Sequence, residues 1–474
     1  MTFLLFAAYL VATVAIGLWA ARRSRGTQED YFLGGRDVSA FAMALSAVSS
    51  GRSAWLVVGA SGAAWSAGLS AIWLFPGYVA AEALMFLTLG PRLRRRSEDV
   101  GAITLPEVLE RLALGPDGKP GSSRLPVRSV AAVLIVLFLT TYVGAQLLGG
   151  GKTLGATFEL EGRLPGLLIT AVIVLVYTLL GGYRAVVVTD VIQALLMLVG
   201  IVLLPVLAIA SVGGLGALMS SLESIDPALV RWTSGWAAVV GGLAIGLGSL
   251  GNPHILVRHM SLRDPSEARS AALTGTLWNI VMAGGAFAMG LVGRALYPTL
   301  ESFAQPDAEY LYATLGADIS VQYLFAGFAG FLLAALFAAV MSTCDSQLLV
   351  VASSLVRDFR KRDKGEGGLG GSRVAVLATL AVAVVVTELA GDNQFVHGLV
   401  LLSWGALGAA FGPPLLMVLY DRRTTAAGVL GGILTGAVVT AVWSQVPALD
   451  SAMYELVPGF AASLLVVFAL RRRG

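Results

Sequence analysis

Apolar runs of about twenty residues follow one another along the whole chain, separated by short polar stretches. A helical run of that length, rising about 1.5 Å per residue, crosses the roughly 30 Å hydrocarbon core of a bilayer. The pattern predicts thirteen helices, at 2–20, 39–66, 68–90, 128–157, 164–181, 185–210, 233–253, 268–296, 320–356, 373–390, 394–420, 424–445 and 453–470. The expected class is an all-α polytopic membrane protein. Composition agrees, because 57% of the 474 residues are hydrophobic and 13% charged, whereas about a quarter of a soluble domain is charged. No polar stretch is long enough to fold as a separate aqueous domain. The first run is followed by Arg22, Arg23 and Arg25 and lacks a small-residue cleavage site preceded by basic residues, so it reads as a retained helix.

Charge orients these helices. Of the 32 Lys and Arg, all but Arg52, Lys152, Arg163, Arg231 and Arg294 fall in loops that alternate onto one side. The densest groups are Arg92 to Arg96, Arg357 to Lys364, Arg422-Arg423 and Arg471 to Arg473. The opposite loops carry Glu223, Asp226, Glu301, Asp307, Glu309, Asp392 and Glu455. The positive-inside rule makes the basic side cytoplasmic, which puts the N-terminus outside, the C-terminus inside and the chain in the plasma (inner) membrane. The net charge of +3 is explained by this bias, and no nucleic-acid partner is expected. A single cysteine, Cys344, excludes an intrachain disulfide. Three scattered histidines, His254, His259 and His397, offer no metal cluster and no catalytic assembly, so no enzyme is expected.

A charge near the bilayer centre costs about 2.5–3.5 kcal/mol on insertion scales, so each one is a functional candidate. Arg52, Glu82, Asp190 and Asp345 are such residues, while Lys152, Glu388 and His397 read as helix-end groups reaching the interface. Asp190 also fits a first-turn carboxylate facing its helix dipole. Asp345 lies in AALFAAVMSTCDSQLLVVASS, where Ser342, Thr343, Asp345 and Ser346 gather oxygens on about one turn. That set suits a small hard cation such as sodium, unless the hydroxyls are spent on their own backbone.

Glycine marks two further features. GLGSLG (Gly246 to Gly251) has dinucleotide-loop spacing but no βαβ context, and GGGKTLG (Gly149 to Gly155) lacks the first phosphate-loop glycine, where Gln146 stands. Both read as places where a membrane helix thins or unwinds. Gly428, Gly432 and Gly436, four apart, predict close helix packing. Unwound backbone at membrane depth is tolerated where it lines a cavity. The second span, with Ser49-Ser50-Gly51 followed by Gly59 and Gly62, and the seventh, with Gly246, Gly248, Gly251 and Pro253, are the candidate breaks. Two broken helices five spans apart are the signature of an inverted repeat with its ligands bound between them. The expected division is 39–210 and 211–421 for the two five-helix repeats, with 1–38 and 422–474 peripheral.

Along this core the chain resembles the sodium:solute symporter family, most of all its sodium/proline branch. The stretches are YFLGGRDVSAFAMALSAVSS, LPEVLERL, GGYRAVVVTDVIQALLML, GLGSLGNPHILVRHM and AAVMSTCDSQLLVVASSLVRD. The resemblance implies a LeuT-like five-plus-five fold, discontinuous first and sixth core helices, and sodium-coupled symport by alternating access. It places sodium against the carbonyls of Ser49, Arg52 and Ala339 and the hydroxyls of Ser342 and Thr343. A second cation position would use Asp190, Ser342, Asp345 and Ser346. The solute would meet Trp55 and Tyr142, with Ser50, Gly51, Arg52, Ile245 and Ser249 of the broken helices completing its site. Two departures stand out: Gly51 replaces an aspartate, followed by Arg52 in place of an apolar residue, and Ile245 replaces a tryptophan.

The implied cargo is a small organic solute, an amino acid such as proline or another carboxylate-bearing molecule, with sodium as coupling ion and no organic cofactor. A monomer embedded in lipid suffices as the functional unit. One sodium falling through 100 mV supplies about 2.3 kcal/mol and a tenfold gradient about 1.4 more, enough for accumulation on the order of 500-fold. Three roles are open to Arg52: a structural tie to Asp345, Asp190 or free carbonyls; a bidentate receptor for a solute carboxylate; or a fixed cation replacing sodium. The last would make a sodium-independent or proton-coupled carrier. A transporter-like sensor and a channel are the alternatives from other classes.

Overall fold

The computed structural model describes residues 1–22, 27–179, 182–303, 305–323, 327–359, 369–391 and 395–472. Asp392, the basic residues 360–364, Arg23, Arg25 and Arg473 lie outside the described residues. The principal helices are α1 (Thr2–Ala21), α2 (Ala40–Ala54), α3 (Pro76–Leu84), α4 (Val127–Phe158), α5 (Leu164–Thr178), α6 (Tyr183–Ser211), α7 (Trp236–Ser249), α8 (Pro253–Ser261) and α9 (Ala268–Leu296). They continue with α10 (Phe328–Ser353), α11 (Leu369–Leu389), α12 (Val396–Tyr420), α13 (Ala426–Gln445) and α14 (Leu456–Ala469).

Among the described residues nine helical stretches are long and apolar enough to cross a membrane, and α7 with α8 makes a further, bent one. One of the nine, Ala40–Asp99, is 60 residues long and turns back near Gly68, where φ is +61°. The apolar helices α5 and α14 are shorter. The expected ninth span at 320–356 is corrected: a separate helix covers Leu311–Tyr323 and α10 starts at Phe328. Two amphipathic helices, Leu105–Leu112 and Leu215–Ile225, join the spans.

At the centre stands α10, whose side chains are buried along most of its length. It packs on α1, α2, α4 and α6, while α13 and α14 pack on each other and on α12, outside this group. The break in the second span falls two residues beyond Gly51, at Ser53, with φ 50° and ψ −174°. A non-glycine residue there costs about 1–3 kcal/mol and persists where its surroundings over-determine it. Here they do: the freed amide of Ala54 donates to Gln146 Oε1 at 2.9 Å, and that of Trp55 to Ser53 Oγ at 3.0 Å. Beyond it, Trp55–Ala60 is wound as a π-helix, a form that recurs at functional sites.

The second break separates α7 from α8 by a 49° bend. Asn252 Nδ2 spans it, donating to the carbonyls of Gly248 (2.7 Å) and Trp404 (3.3 Å), and Pro253 starts α8 without needing an amide partner. Close approach fixes where α7 lies: a side chain on Gly246 would strike the carbonyl of Gly77. That contact sets Ser249 beside α3. Gly149 to Gly155 stay helical within α4, where Gly150 and Gly151 pack against α5, so this stretch thins the helix and does not unwind it. Gly432 and Gly436 pack against Val467 and the Ala409 carbonyl, as their spacing predicts.

Candidate functional site

Three clusters meet around the break in α2. In the first, Thr343 Oγ1 donates to the carbonyls of Ser50 (3.0 Å) and Ala339 (3.1 Å). Ser342 Oγ lies 3.2 Å from the Ala339 carbonyl, and Ser50 Oγ donates to the Ser342 carbonyl at 2.6 Å. Ala339, Ser342 and Thr343 of the expected sodium site are thus brought to the unwound segment. The carbonyl that Thr343 reaches is that of Ser50, one residue beyond Ser49. The Ser49 hydroxyl bonds back to Ser46, and the Arg52 carbonyl accepts from Trp55 within its own chain segment.

The second cluster surrounds a guanidinium that the charge pattern assigns to a cytoplasmic loop. Arg258, on α8, is 1% exposed. Its Nε donates to Ser46 Oγ at 3.1 Å, its Nη1 to the carbonyl of His254, and its Nη2 to Ser50 Oγ (2.7 Å), Asp190 Oδ2 (3.1 Å) and Ser346 Oγ. Ser346 Oγ also reaches Asp345 Oδ1 at 3.1 Å. Asp190 Oδ1 and Asp345 Oδ2 are buried with no hydrogen-bond partner among the described residues. Two of the residues expected to hold a second cation, Asp190 and Ser346, therefore contact an arginine, and one oxygen each of Asp190 and Asp345 stays open. Nothing in a basic residue after Asn252-Pro253 distinguishes this from a loop.

The third cluster corrects the expected tie of Arg52. Its guanidinium meets neither Asp345 nor Asp190: Nη2 pairs with Glu82 on α3, both side chains being almost fully buried. It also lies 3.8 Å over the ring of Tyr78, a cation–π contact. Glu82 is held in turn by Ser249 Oγ (3.2 Å) and Asn279 Nδ2 (2.7 Å). Arg52 Nε is buried without a partner.

Arg52 also lines a small cavity of about 10 Å³, room for about one water, with Gly51, Trp55, Tyr142, Ile245, Val400, Leu401 and Trp404. Five of the residues expected around the solute are therefore together. Ser50 faces Arg258 and Ser249 faces Glu82, so these two stand behind the wall. Trp404, Val400 and Leu401 carry no signal in sequence, because an apolar wall of a cavity reads like any lipid-facing or core position. At one end Trp55 Nε1 bonds His397 Nδ1 at 3.0 Å with the rings stacked. Beyond it opens a wider cavity of about 460 Å³ lined by Trp65, Asp307, Glu309 and Phe395. There Lys152 pairs with Asp307 and Glu309, and Glu309 accepts the first amides of α12 from Val396 (2.9 Å) and His397 (2.8 Å), a carboxylate at a helix N-terminus.

The chain is similar to known sodium-coupled transporters. The sodium/proline symporters of Staphylococcus aureus strains JH9 and COL are 33% identical to the chain over 487 residues, covering 99% of it and 92% of the relative. A Na+-coupled sialic acid symporter in a substrate-bound outward-open state superposes with a TM-score of 0.78 at 19% identity, covering 99% of this chain and 97% of that one. MhsT in complex with L-phenylalanine gives 0.57 at 13%, covering 91% and 99%, and the nucleobase-cation-symport-1 transporter Mhp1 gives 0.56 at 14%, covering 93% of each. These structures share the fold, a LeuT-like arrangement with two discontinuous helices. The profile of the sodium:solute symporter family matches residues 31–436, and the chain belongs to that family.

Proposed function

We propose that this transporter couples sodium to the uptake of a small carboxylate-bearing solute, a zwitterion such as proline foremost, with the wide cavity beyond His397 facing outside and the C-terminus cytoplasmic. The observation that carries the reading is the seam between α10 and the broken α2. There Ser50 and Ala339 carbonyls converge with the Ser342 and Thr343 hydroxyls on one point. Hydroxyl and carbonyl oxygens are the ligands a sodium ion takes, and the unwound turn beside them lines the cavity. Sodium replaces the hydrogen bonds that these oxygens otherwise make to each other, so its binding draws α2 and α10 into one arrangement.

Arg52 supports the carboxylate. One nitrogen is committed to Glu82, the Nε is unpartnered, and the group borders the cavity. Aromatic walls at Trp55, Tyr142 and Trp404 suit a compact ring or aliphatic body. The curated relatives named sodium/proline symporters support the same class of solute.

The test is uptake of labelled L-proline into vesicles reconstituted with the purified protein. Uptake should require sodium outside and collapse when choline replaces it. Equal uptake in choline would remove sodium from the mechanism.

A further inference from the structure

A second cleft lies across the wall that bounds the small cavity at Arg52. It holds about 570 Å³, between α7, α12 and the connection 446–455 that joins α13 to α14. Ile245 and Leu401 line both spaces, and Gly398 lines both this cleft and the wide cavity beyond His397. The shared wall is pinned: Trp404 Nε1 donates to the Ile245 carbonyl at 2.8 Å and the Tyr454 hydroxyl to the Leu401 carbonyl at 2.8 Å. On the far rim Trp443 Nε1 donates to the Met453 carbonyl at 2.9 Å, which closes the connection onto α13. These bonds build the cleft from the protein's own groups.

The lining sets the kind of guest. Leu74, Ala238, Gly242, Ile245 and Leu402 give the cleft an apolar floor. Glu455, which also lines it, is 6% exposed. It stands at the N-terminus of α14 without making a side-chain cap bond, and among the described residues its carboxylate has no ion pair either. The helix dipole favours the anion and leaves both oxygens free to accept. Asp450 adds a second acid, and none of the lining residues is basic. The hydroxyls have the same bias. Ser444 Oγ donates to the Ala441 carbonyl (3.0 Å) and Ser451 Oγ to the Ala448 carbonyl (3.4 Å), so with Tyr454 their protons are spent and their lone pairs remain. A buried carboxylate without a counter-charge is costly, and a cation with N–H donors removes that cost. The polarity is opposite to that of the solute cavity, where Arg52 stands on the wall.

We propose that this cleft binds a free organic monocation, an ammonium on a compact apolar body, with its nitrogen against Glu455 and its body against Ile245 and Leu402, and that its occupancy slows transport. The cavity at Arg52 has room for about one water, so a solute enters it only when the wall moves, and a guest in the cleft backs that wall at Ile245 and Leu401. A zwitterion carries a carboxylate that Glu455 and Asp450 repel, which separates this guest from the transported solute.

The test is calorimetric titration of the purified full-length protein near pH 8 with phenethylamine, an ammonium at that pH, and with phenylacetate as its anionic counterpart. The amine should bind saturably and phenylacetate should not. Glu455→Gln should weaken the amine about tenfold or more, the loss of a charge-assisted bond, and Glu455→Asp, which keeps the charge, should retain binding. Ala238→Trp, which fills the cleft and leaves the carboxylate in place, should abolish binding and guards against a folding defect in the Glu455 variants. Equal amine affinity in Glu455→Gln, or phenylacetate bound as well as the amine, would overturn the site. Affinity should be the same in phosphatidylethanolamine and phosphatidylcholine vesicles; weaker binding in the former would give the cleft to the lipid's own ammonium and overturn the free cation. In vesicles the amine should lower the maximal rate of sodium-driven L-proline uptake at unchanged apparent affinity, whereas direct competition with L-proline would put it in the solute cavity and overturn the proposal. The uptake arm alone depends on the solute proposed above, so amine binding in calorimetry with no L-proline uptake at all would count against that solute and leave the cleft supported.

Discussion

Two buried arginine–carboxylate pairs flank the same broken helix, and they differ in what they leave undone. Arg258 is saturated: all three nitrogens donate, to three serine hydroxyls, a carbonyl and Asp190. Arg52 has one carboxylate, an aromatic face and an unpartnered Nε at a cavity. Burying a charge is tolerated when hydrogen bonds satisfy it. By that measure the Arg258 cluster holds α2, α6, α8 and α10 together, while the Arg52 cluster has donors to offer a ligand. The comparison teaches that an intramembrane arginine is read by its unused hydrogen bonds more than by its charge.

The strongest way to break this comparison is to remove Arg258. Arg258→Ala strands Asp190 and should destabilise the protein by about 3–5 kcal/mol, seen as a large fall in melting temperature in detergent before any effect on solute affinity can be measured. A normal melting temperature with lost sodium activation would make Arg258 part of the ion site and erase the distinction. Next comes Arg52→Lys, which keeps the charge and loses the fork. Solute affinity should fall about tenfold, or about 1.4 kcal/mol, with melting little changed; equal affinity in calorimetric titration would return Arg52 to a purely structural part. The smallest effect is at the Trp55–His397 contact between the cavities. Trp55→Phe keeps the ring and deletes the hydrogen bond to His397, worth about 0.5–1.5 kcal/mol. It should raise the rate of solute exchange by no more than about tenfold, whereas a change in sodium dependence would tie this contact to the ion site.

Much of the architecture was legible because it follows from run length and from glycine and proline. The predicted 128–157 and 268–296 appear as Val127–Phe158 and Ala268–Leu296. Both broken spans were visible too, the first break sitting at Ser53, the last residue of the stretch SSGRS. The start of α10 was misplaced, because the residues up to Tyr323 belong to a separate helix, Leu311–Tyr323. Of the site, the Ser342–Thr343 turn and the wall residues Gly51, Arg52, Trp55, Tyr142 and Ile245 were legible through the resemblance. Val400, Leu401 and Trp404 were not, since nothing separates them from ordinary apolar positions.

The sequence by itself determined that the chain is a bundle of membrane helices, where two of them break and, Arg258 apart, which charges lie among them. Those are one-dimensional properties, set by the cost of unsatisfied backbone and buried charge in hydrocarbon. Only the tertiary structure decided which charges meet. Arg52 finds Glu82 thirty positions away, and Arg258 finds Asp190 across 68. A partner for a buried ion is chosen by which helix faces come within about 3 Å, and that is a property of packing that no local pattern encodes.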